Sequence, residues 1–426
     1  MSYTKELFDF IKSSPTAYHT VETVKDMLVN AGFTQVSETD TKQLSDGGKH
    51  FVIRGGSSII AFKGRAERGG FMISASHSDS PAFKIKGEAC LAGYSGLATE
   101  KYGGMIHYTW LDRPLSVAGR LCVKTEGGFK TVLVNAKNPI LTIPSVAIHL
   151  NRSVNDGYKF NPAVDLLPLA GGKEAKGRLM QMLAEQAGAS VDDIISHDLF
   201  LYNADEGAVV GIDGEYILAP RIDDLGCVYA SVRALLDSPE SSDAVSVLAV
   251  FDNEEVGSET KQGAMSTFLD MTLRAIAGSD EKYRKMLANS FMISADNAHA
   301  LHPNHPELYD RTNNAMMGDG IVVKYNANQR YATDAISEAI FTLLSNKASV
   351  KIQKFSNRAD MVGGSTLGSI SDTRVSIPTV DIGLPQLAMH SANETAAVSD
   401  LGDMISVMTS LYSSFVECNG NDVKIF

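Results

Sequence analysis

Acidic residues or histidines follow predicted strands at five places in the chain, and one of these places carries three carboxylates together. Asp252, Glu254 and Glu255 come directly after the apolar run 244–251. Like charges at one strand end disfavour ionisation unless a cation compensates them. Adjacent glutamates also allow one to bind a metal ion while the other serves as a general base. A solvated acidic turn is the alternative interpretation of this segment alone.

The other four segments each offer metal-binding side chains, and each has an ordinary structural explanation when it is taken alone. They contain His77 with Asp79, the pair Asp223 and Asp224, Asp296 with His299, and His390. A His-x-Asp pair lets one imidazole nitrogen bind a metal while the carboxylate orients the ring. The alternatives are a surface turn for the first segment, helix capping for the second, an exposed histidine-rich turn for the third and a core histidine for the last.

Together the five segments supply the donors that a two-metal site requires. Two ions that share one carboxylate need about five protein ligands, and oxygen with imidazole nitrogen suits zinc, with Mn²⁺ or Co²⁺ as substitutes. The set contains no cysteine. Open α/β sheets build their sites beyond the carboxyl ends of the strands, which is where these segments lie.

Predicted strands and helices that could position these residues alternate along both ends of the chain. A helix with Thr16 at its start and Gly32 at its end precedes strands near 52–53, 58–62 and 70–75. After Pro220 the predicted elements are a helix at 225–236, strands at 244–251, 290–294, 350–355 and 379–382, and helices at 333–345 and 398–416. Fully apolar strands between long helices predict an α/β fold with a mixed, mostly parallel sheet that is sandwiched by helices.

Residues 90–215 differ from both ends of the chain in their pattern of apolar residues and turn residues. Short β-like runs, including 132–134, 141–143 and 208–210, lie between Gly, Pro and Asn residues, with one predicted helix near 177–187. A length of 426 residues allows two to three domains at roughly 150 residues each. Because His77 and Asp223 must meet at one site, we interpret 90–215 as a mostly β domain inserted into a discontinuous catalytic domain of residues 1–89 and 216–426.

Composition excludes several classes of protein. The chain has 38 Lys and Arg against 50 Asp and Glu, a net charge of −12, without a dense basic run, so we expect no nucleic-acid partner. No apolar stretch approaches the roughly 18 residues of a membrane helix, and the first ten residues are too polar for a secretory signal. We therefore expect no membrane association and a cytoplasmic location. The four cysteines are widely spaced and are interpreted as reduced.

Eight segments resemble, in order along the chain, the signature segments of the aspartyl aminopeptidase family of dizinc metallopeptidases. They are HSDSP from His77, YGG from Tyr102, WLDRPLS from Trp110, RID from Arg221, DNEEVGS from Asp252, SADNAHA from Ser294, QRYAT from Gln329 and PQLAMHS from Pro385. The resemblance covers the chain from His19 to Phe415. It implies a zinc-peptidase-like catalytic domain with an inserted oligomerisation domain, and dimers that build a dodecamer around an enclosed chamber.

The resemblance also implies a set of metal ligands. Asp223 would bridge two zinc ions in each subunit. His77 and Asp296 would complete the protein ligands of one ion. Glu255 and His390 would complete those of the other.

Three further residues would take part in catalysis according to the same resemblance. Asp79 would orient His77, and Glu254 would be the general base that activates a zinc-held water. His149, in an Ala-Ile-His-Leu segment, would reach a neighbouring subunit's site and help to stabilise the oxyanion. The reaction would be hydrolysis of the first peptide bond of a peptide substrate.

A preference for N-terminal Asp or Glu is implied by His299 and Lys324, which match pocket-lining positions of family members with that preference. A fixed cation in a partly desolvated pocket attracts an acidic side chain. Asp224 stands where the family more often has Asn, and Tyr325 where it has a small aliphatic residue. These departures leave a broader range of N-terminal residues as the alternative.

Two functions of other kinds fit parts of the pattern. A non-catalytic assembly or peptide-binding protein on this fold would be expected to have lost a metal ligand or the base. The five ligands and the base are all present: His77, Asp223, Glu254, Glu255, Asp296 and His390. A related dizinc deacylase would act on a small N-acyl compound and would leave free N-termini untouched.

Overall fold

The computed structural model describes residues 2–419 and 422–426, which form 22 β-strands and 11 α-helices. The strands are β1 (Thr34–Gln35), β2 (His50–Arg54), β3 (Ser58–Gly64), β4 (Phe71–His77), β5 (Ala82–Leu91), β6 (Tyr94–Tyr102), β7 (Leu115–Thr125), β8 (Gly128–Asn135), β9 (Leu169–Gly171), β10 (Ile194–Asn203), β11 (Ala208–Val210), β12 (Tyr216–Ala219), β13 (Val245–Phe251), β14 (Phe291–Ala295), β15 (Ala298–His299), β16 (Ile321–Tyr325), β17 (Ile352–Ser356), β18 (Thr379–Gly383), β19 (Pro385–Leu387), β20 (Glu394–Ala397), β21 (Val416–Asn419) and β22 (Asp422–Ile425). The α-helices are α1 (Ser2–Ser13), α2 (Ala17–Asn30), α3 (Thr41–Ser45), α4 (Pro162–Asp165), α5 (Arg178–Gln186), α6 (Ile222–Asp237), α7 (Phe268–Ala277), α8 (Asp280–Ala288), α9 (Ala335–Lys347), α10 (Leu367–Arg374) and α11 (Val398–Tyr412). Short 3₁₀ helices lie at His107–Trp110, Lys173–Ala175, Val191–Asp193, Glu254–Val256 and Pro306–Leu308.

The chain divides into two compact units. The first comprises Met1–Asp79, Ala208–Met389 and Glu394–Phe426, and the second comprises Ser80–Gly207 with His390–Asn393. The borders of the second unit, at residues 80 and 207, differ from the predicted borders of the inserted domain at 90 and 215. The use of this region in assembly stays a prediction.

A nine-stranded sheet forms the centre of the first unit, in the order β1-β2-β3-β13-β4-β14-β18-β16-β17. The neighbours β13, β4, β14 and β18 are all parallel. Antiparallel pairs join β2 to β3, β3 to β13 and β16 to β18. The predicted mixed, mostly parallel α/β sheet is therefore confirmed. A five-stranded sheet, β11-β12-β20-β19-β15, and the hairpin β21–β22 lie in the same unit.

Apolar side chains cover both faces of the nine-stranded sheet. Side chains alternate along a strand, so neighbouring residues point to opposite faces. Ile59 and Ala61 of β3 belong to a core that includes residues of α1, α2, α6, α9 and α11. Ile60 and Phe62 belong to a second core with residues of α3, α7, α8 and α10. Burial on both faces explains why the central strands are apolar along their whole length.

Most predicted elements of the first unit lie within a few residues of the observed ones. Helix α2 follows Thr16 and ends before Gly32, whose φ of 84° only glycine adopts readily. Strand β16 and helices α7, α8 and α10 were not predicted from apolar periodicity. Of these, α8 and α10 have low mean hydrophobic content, as expected for helices with one narrow buried face.

Six antiparallel strands, in the order β8-β7-β10-β5-β6-β9, form the sheet of the second unit. Its core includes Phe83 and Trp110, whose rings meet edge to face at 5.1 Å. The β-like run predicted at 141–143 forms isolated β-bridges, from Leu141 to Leu115 and from Thr142 to Leu169, rather than a longer strand. Pro139 and Pro144 flank it and cannot donate to a ladder. None of the helices within 2–419 and 422–426 combines the length and apolar character of a membrane span.

Candidate metal centre

The parallel register brings the ends of the central strands to one edge of the nine-stranded sheet. His77 ends β4 and pairs with Phe251, the last residue of β13. Ala295 ends β14 and pairs with Ile382 of β18. Asp252 and Asp296 therefore leave the sheet at the edge where His77 lies, as expected for a site built at strand ends.

His77, Asp223, Asp224 and Asp296 form a donor group whose ligand atoms all lie within 4.8 Å of one another. Nε2 of His77 is 3.4 Å from Oδ1 of Asp223 and 3.7 Å from Oδ1 of Asp296. All four side chains are buried, with exposed fractions of 9 % or less. Three carboxylates around one imidazole, out of water, are unfavourable unless a cation compensates them.

Burial and mutual repulsion are visible in the pKa values of this group. Burial raises the pKa of Asp224 well above its ordinary value; His77 lowers it, and Asp296 and Asp223 raise it further. Burial alone would lower the pKa of His77, but Asp224 and hydrogen bonds to Asp223, Asp296 and Asp79 raise it well above its usual range. A cation held among these carboxylates would offset their mutual repulsion.

A second donor group combines His77 with Glu254 and Glu255. The two glutamates begin a 3₁₀ helix preceded by Asn253 at φ 64°, a left-handed conformation that asparagine tolerates. Oδ1 of Asn253 accepts hydrogen bonds from Thr260 Oγ1 at 2.8 Å and Gln262 Nε2 at 2.9 Å. Burial is the largest cause of the raised pKa of Glu254, which is about 8. His77 lowers this pKa, whereas Asp296, Asp79 and Asp223 raise it further.

Asp79 contacts both donor groups. Its backbone carbonyl lies 3.1 Å from Nδ1 of His77, and its Oδ1 lies 3.4 Å from the same nitrogen. Its two carboxylate oxygens accept the backbone N–H groups of Glu254 and Glu255, each at 3.2 Å. The orientation of His77 by Asp79 stays a prediction, and the contact with the glutamate backbone was not anticipated.

Two buried polar residues beside the cluster were missed by the reasoning from sequence. Glu394, 2 % exposed, accepts the backbone N–H of Asp223 through Oε2 at 2.9 Å. Nδ2 of Asn297 donates to the carbonyl of Ile222 and to Oε1 of Gln386, both at 2.9 Å. The sequence signal for Glu394 and Asn297 was weak, since each is one polar residue in or beside a short, otherwise apolar stretch.

Lys324 and His299, the predicted substrate-binding residues, have different surroundings. Lys324 is 2 % exposed, and its Nζ donates to the carbonyl of Asp296 at 2.7 Å, to Oδ2 of Asp296 at 3.2 Å and to the carbonyl of Asn297 at 3.2 Å. The ring of His299, in β15, lies 5.9 Å from that of Phe355. Lys324 thus supports the backbone and carboxylate of Asp296.

His390 and His149 belong to the second unit. Nδ1 of His390 lies 2.9 Å from the carbonyl oxygen of Gly104. A carbonyl oxygen only accepts, so Nδ1 of His390 is the donor in this contact. His149 is exposed in the loop after residue 143. The ligand and oxyanion roles given to these two residues stay predictions.

The donor set of the first unit fits zinc by its chemistry. Imidazole nitrogen and carboxylate oxygen are borderline and hard ligands that zinc accepts in catalytic sites. Oδ1 of Asp224 is also buried without a hydrogen-bond partner among the described residues, which is costly unless a cation lies nearby.

Comparisons with known proteins were consistent in sequence and in structure. Residues 10–415 match the family model described as Aminopeptidase I zinc metalloprotease (M18). A "Probable M18 family aminopeptidase 2" of Clostridium acetobutylicum is 44 % identical over 416 residues, which cover 94 % of this chain and 96 % of the relative.

Two solved structures extend this similarity to the fold. A chain in the cryo-EM structure of the Ape4 and Nbr1 complex is similar with a TM-score of 0.92 at 34 % identity, covering 97 % of this chain and 85 % of that one. The S. cerevesiae mApe1 dodecamer has a TM-score of 0.84 at 28 % identity, covering 96 % and 95 %. The resemblance stated from the motifs is confirmed: the chain belongs to the M18 family of aminopeptidase I zinc metalloproteases and is a metallo-aminopeptidase.

Proposed function

We propose that this aminopeptidase removes single N-terminal residues from peptides, with a preference for Asp and Glu, and that Glu254 is its general base. The observation that carries the proposal is the placement of Glu254 and Glu255 in one donor group with His77, which also belongs to the buried aspartate group. This arrangement supports a division of labour in which one glutamate binds metal and its neighbour moves protons.

The proposed site holds two zinc ions, with Mn²⁺ or Co²⁺ as substitutes. Asp223 is the proposed bridging ligand, with His77 and Asp296 on one ion and Glu255 and His390 on the other. Burial and the short distances among His77, Asp223 and Asp296 support the first of these sites. Zinc, when bound, supplies a Lewis acid that polarises a carbonyl and lowers the pKa of water.

Glu254 takes the proton of the attacking water and delivers it to the leaving amine in the proposed reaction. Asp79 supports this role because it accepts the backbone N–H groups of Glu254 and Glu255 and so restrains the turn that carries them. A general base must lie within hydrogen-bond reach of the proton that it removes, so a restrained backbone is needed for efficient transfer.

The acidic preference is assigned to His299 and Lys324. The Nζ of Lys324, 3.2 Å from Oδ2 of Asp296, is a fixed cation beside the donor group and supports this assignment. This local charge matters more for binding than the net charge of −12, which acts mainly on encounter rate.

A homo-oligomer, a dodecamer built from dimers, is the proposed assembly, with His149 acting in a neighbouring subunit's site. Similarity to the mApe1 dodecamer supports this assembly. Val146, Ile148 and Leu150 around His149 are 56 %, 48 % and 84 % exposed, and apolar side chains grouped on a surface favour contact with another chain. A cytoplasmic location is also proposed, and the four cysteine thiols, none of them in a disulfide within the described chain, support a reducing compartment.

The proposed base is tested with Glu254→Gln beside the matched control Glu259→Gln, which changes an exposed glutamate of the same loop. With zinc content measured in each sample, Glu254→Gln should lower kcat/KM by about 10²–10⁴-fold at unchanged zinc, and the control should retain activity. Activity within about tenfold of wild type would contradict the role of Glu254.

Substrate class is tested with a panel of Asp-, Glu-, Leu- and Lys-anilides and one N-acylated aspartate. Faster turnover of the first two supports the acidic preference. Equal rates for all four anilides would contradict it. Hydrolysis of the acylated compound alone would instead indicate a deacylase.

A further inference from the structure

Asp224 belongs to the buried donor group, yet the proposed ligand set gives it no role. It has an exposed fraction of 0 %. One oxygen of its carboxylate and the ligand atoms of His77, Asp223 and Asp296 all lie within 4.8 Å of one another. A carboxylate removed from water in this way requires hydrogen bonds and a compensating positive charge.

The two carboxylate oxygens of Asp224 have different surroundings. Oδ2 accepts the backbone N–H of His77 at 3.1 Å. Oδ1 is buried and has no hydrogen-bond partner in the part of the chain that the structure describes. One oxygen is therefore committed to the main chain of a proposed ligand, whereas the other forms no hydrogen bond of good geometry within the described chain.

Beyond the imidazole of His77, which opposes the charge of Asp224, no neighbouring group in the described chain directs a formal positive charge at it. The thiol of Cys227, close to Asp224 on α6, donates to Oδ1 of Asn297 at 3.2 Å. The ammonium of Lys324 is directed to Asp296, at 3.2 Å from its Oδ2. Three carboxylates, those of Asp223, Asp224 and Asp296, thus share the one imidazole of His77. An ion held by the donor group would supply further positive charge, with Asp224 as a third carboxylate close to it.

We propose that Asp224 is a positioning residue of the metal centre, which holds the backbone of His77 and strengthens binding of the ion shared by His77, Asp223 and Asp296. This inference rests on the proposed ligand set. Residues that orient metal ligands without binding the metal themselves typically change metal affinity by 10–100-fold when they are altered. Asp224 combines such an orienting contact with a carboxylate in a region of low dielectric.

Two substitutions separate the contact from the charge. Asp224→Asn keeps an oxygen that can accept the N–H of His77 and removes the charge, whereas Asp224→Ala removes both. The control is Asp400→Asn, which changes another buried carboxylate that accepts two backbone N–H groups, from Gly318 and Gly320, and lies outside both donor groups.

The experiment titrates each metal-free protein with zinc in competition with a chromophoric chelator, which reports the number of ions and both Kd values without activity. Asp224→Asn should raise the Kd of one ion by about 10–100-fold and leave the other nearly unchanged. Asp224→Ala should raise the same Kd further, and Asp400→Asn should match wild type. Thermal unfolding of each metal-free variant verifies that it is folded.

The inference is overturned if Asp224→Asn binds both zinc ions as tightly as wild type, or if Asp400→Asn weakens binding equally. Those results leave the proposed function intact, provided that the wild-type protein binds two zinc ions and hydrolyses peptides. Wild-type protein that binds no zinc would overturn the proposed function and this inference together.

Discussion

The backbone N–H of Asp223 donates to Oε2 of Glu394 at 2.9 Å, across 171 positions of the sequence. Glu394 is the first residue of β20 and pairs with Ala219 of β12, so the strand register carries its carboxylate to the start of α6. Both residues are buried. The backbone of the proposed bridging ligand is therefore held by a carboxylate from a different strand.

Removal of this acceptor should destabilise the fold. Glu394→Ala leaves the buried N–H of Asp223 without its partner, and we expect the free energy of unfolding to fall by about 1–3 kcal/mol. Glu394→Gln keeps an acceptor oxygen and should cost less. Urea unfolding of the metal-free proteins measures both, and an equal loss in the two variants would argue against the backbone contact as the cause.

Gly383 is required by a close approach of two backbone segments. A Cβ at this position would lie 2.2 Å from the carbonyl oxygen of Asp296 and 2.7 Å from the N of Ala298. We expect Gly383→Ala to cost about 1–3 kcal/mol of unfolding free energy and to weaken zinc binding by displacing Asp296. Gly402→Ala is the matched control, because no atom lies within 4 Å of a Cβ there and alanine favours a helix. Similar stability of the two variants would contradict the steric argument.

The contacts of Lys324 allow its two roles to be separated. If its charge acts on the substrate, Lys324→Met should lower kcat/KM for Asp- and Glu-anilides by about 10–100-fold relative to Leu-anilide. An equal fall for all substrates, together with weaker zinc binding, would instead assign Lys324 to holding Asp296. Lys354→Met, at an exposed lysine on β17, is the control and should change neither quantity.

His19 should make the fold sensitive to mild acid. Burial lowers its pKa to about 4, with Glu22 acting in the opposite direction. Since the unfolded chain protonates at a pKa of about 6.5, the folded state binds fewer protons between these values. Stability from this residue is thus fully present above about pH 6.5 and is lost as the pH falls towards 4, by at most roughly 3 kcal/mol.

The comparison of wild type with His19→Gln isolates this effect, because glutamine does not titrate. Urea unfolding at a series of pH values between about 7 and 4 should show that the difference in unfolding free energy between the two proteins shifts in favour of the variant as the pH falls. A constant difference across this range would rule out the buried imidazole as the cause.

Local sequence pattern was enough to predict most strands of the central sheet, although not β16. The apolar run that became β13 and the helical spacing that became α6 are properties of adjacent residues. Acidic residues directly after such elements also indicated the donor groups, because chain direction alone places them at strand ends. The family motifs extended these observations to an activity and a ligand set.

Tertiary structure decided the partners of those residues. Asp224 was visible in the sequence, but its contact with the N–H of His77 depends on the packing of α6 against β4 across 147 positions. Glu394 carried only a weak local signal, since its role follows from the register of β20 with β12. The residues that can bind a metal can thus be recognised from short segments of sequence. The buried carboxylates that hold the backbones of these residues cannot, because long-range packing brings them into contact and local periodicity does not report it.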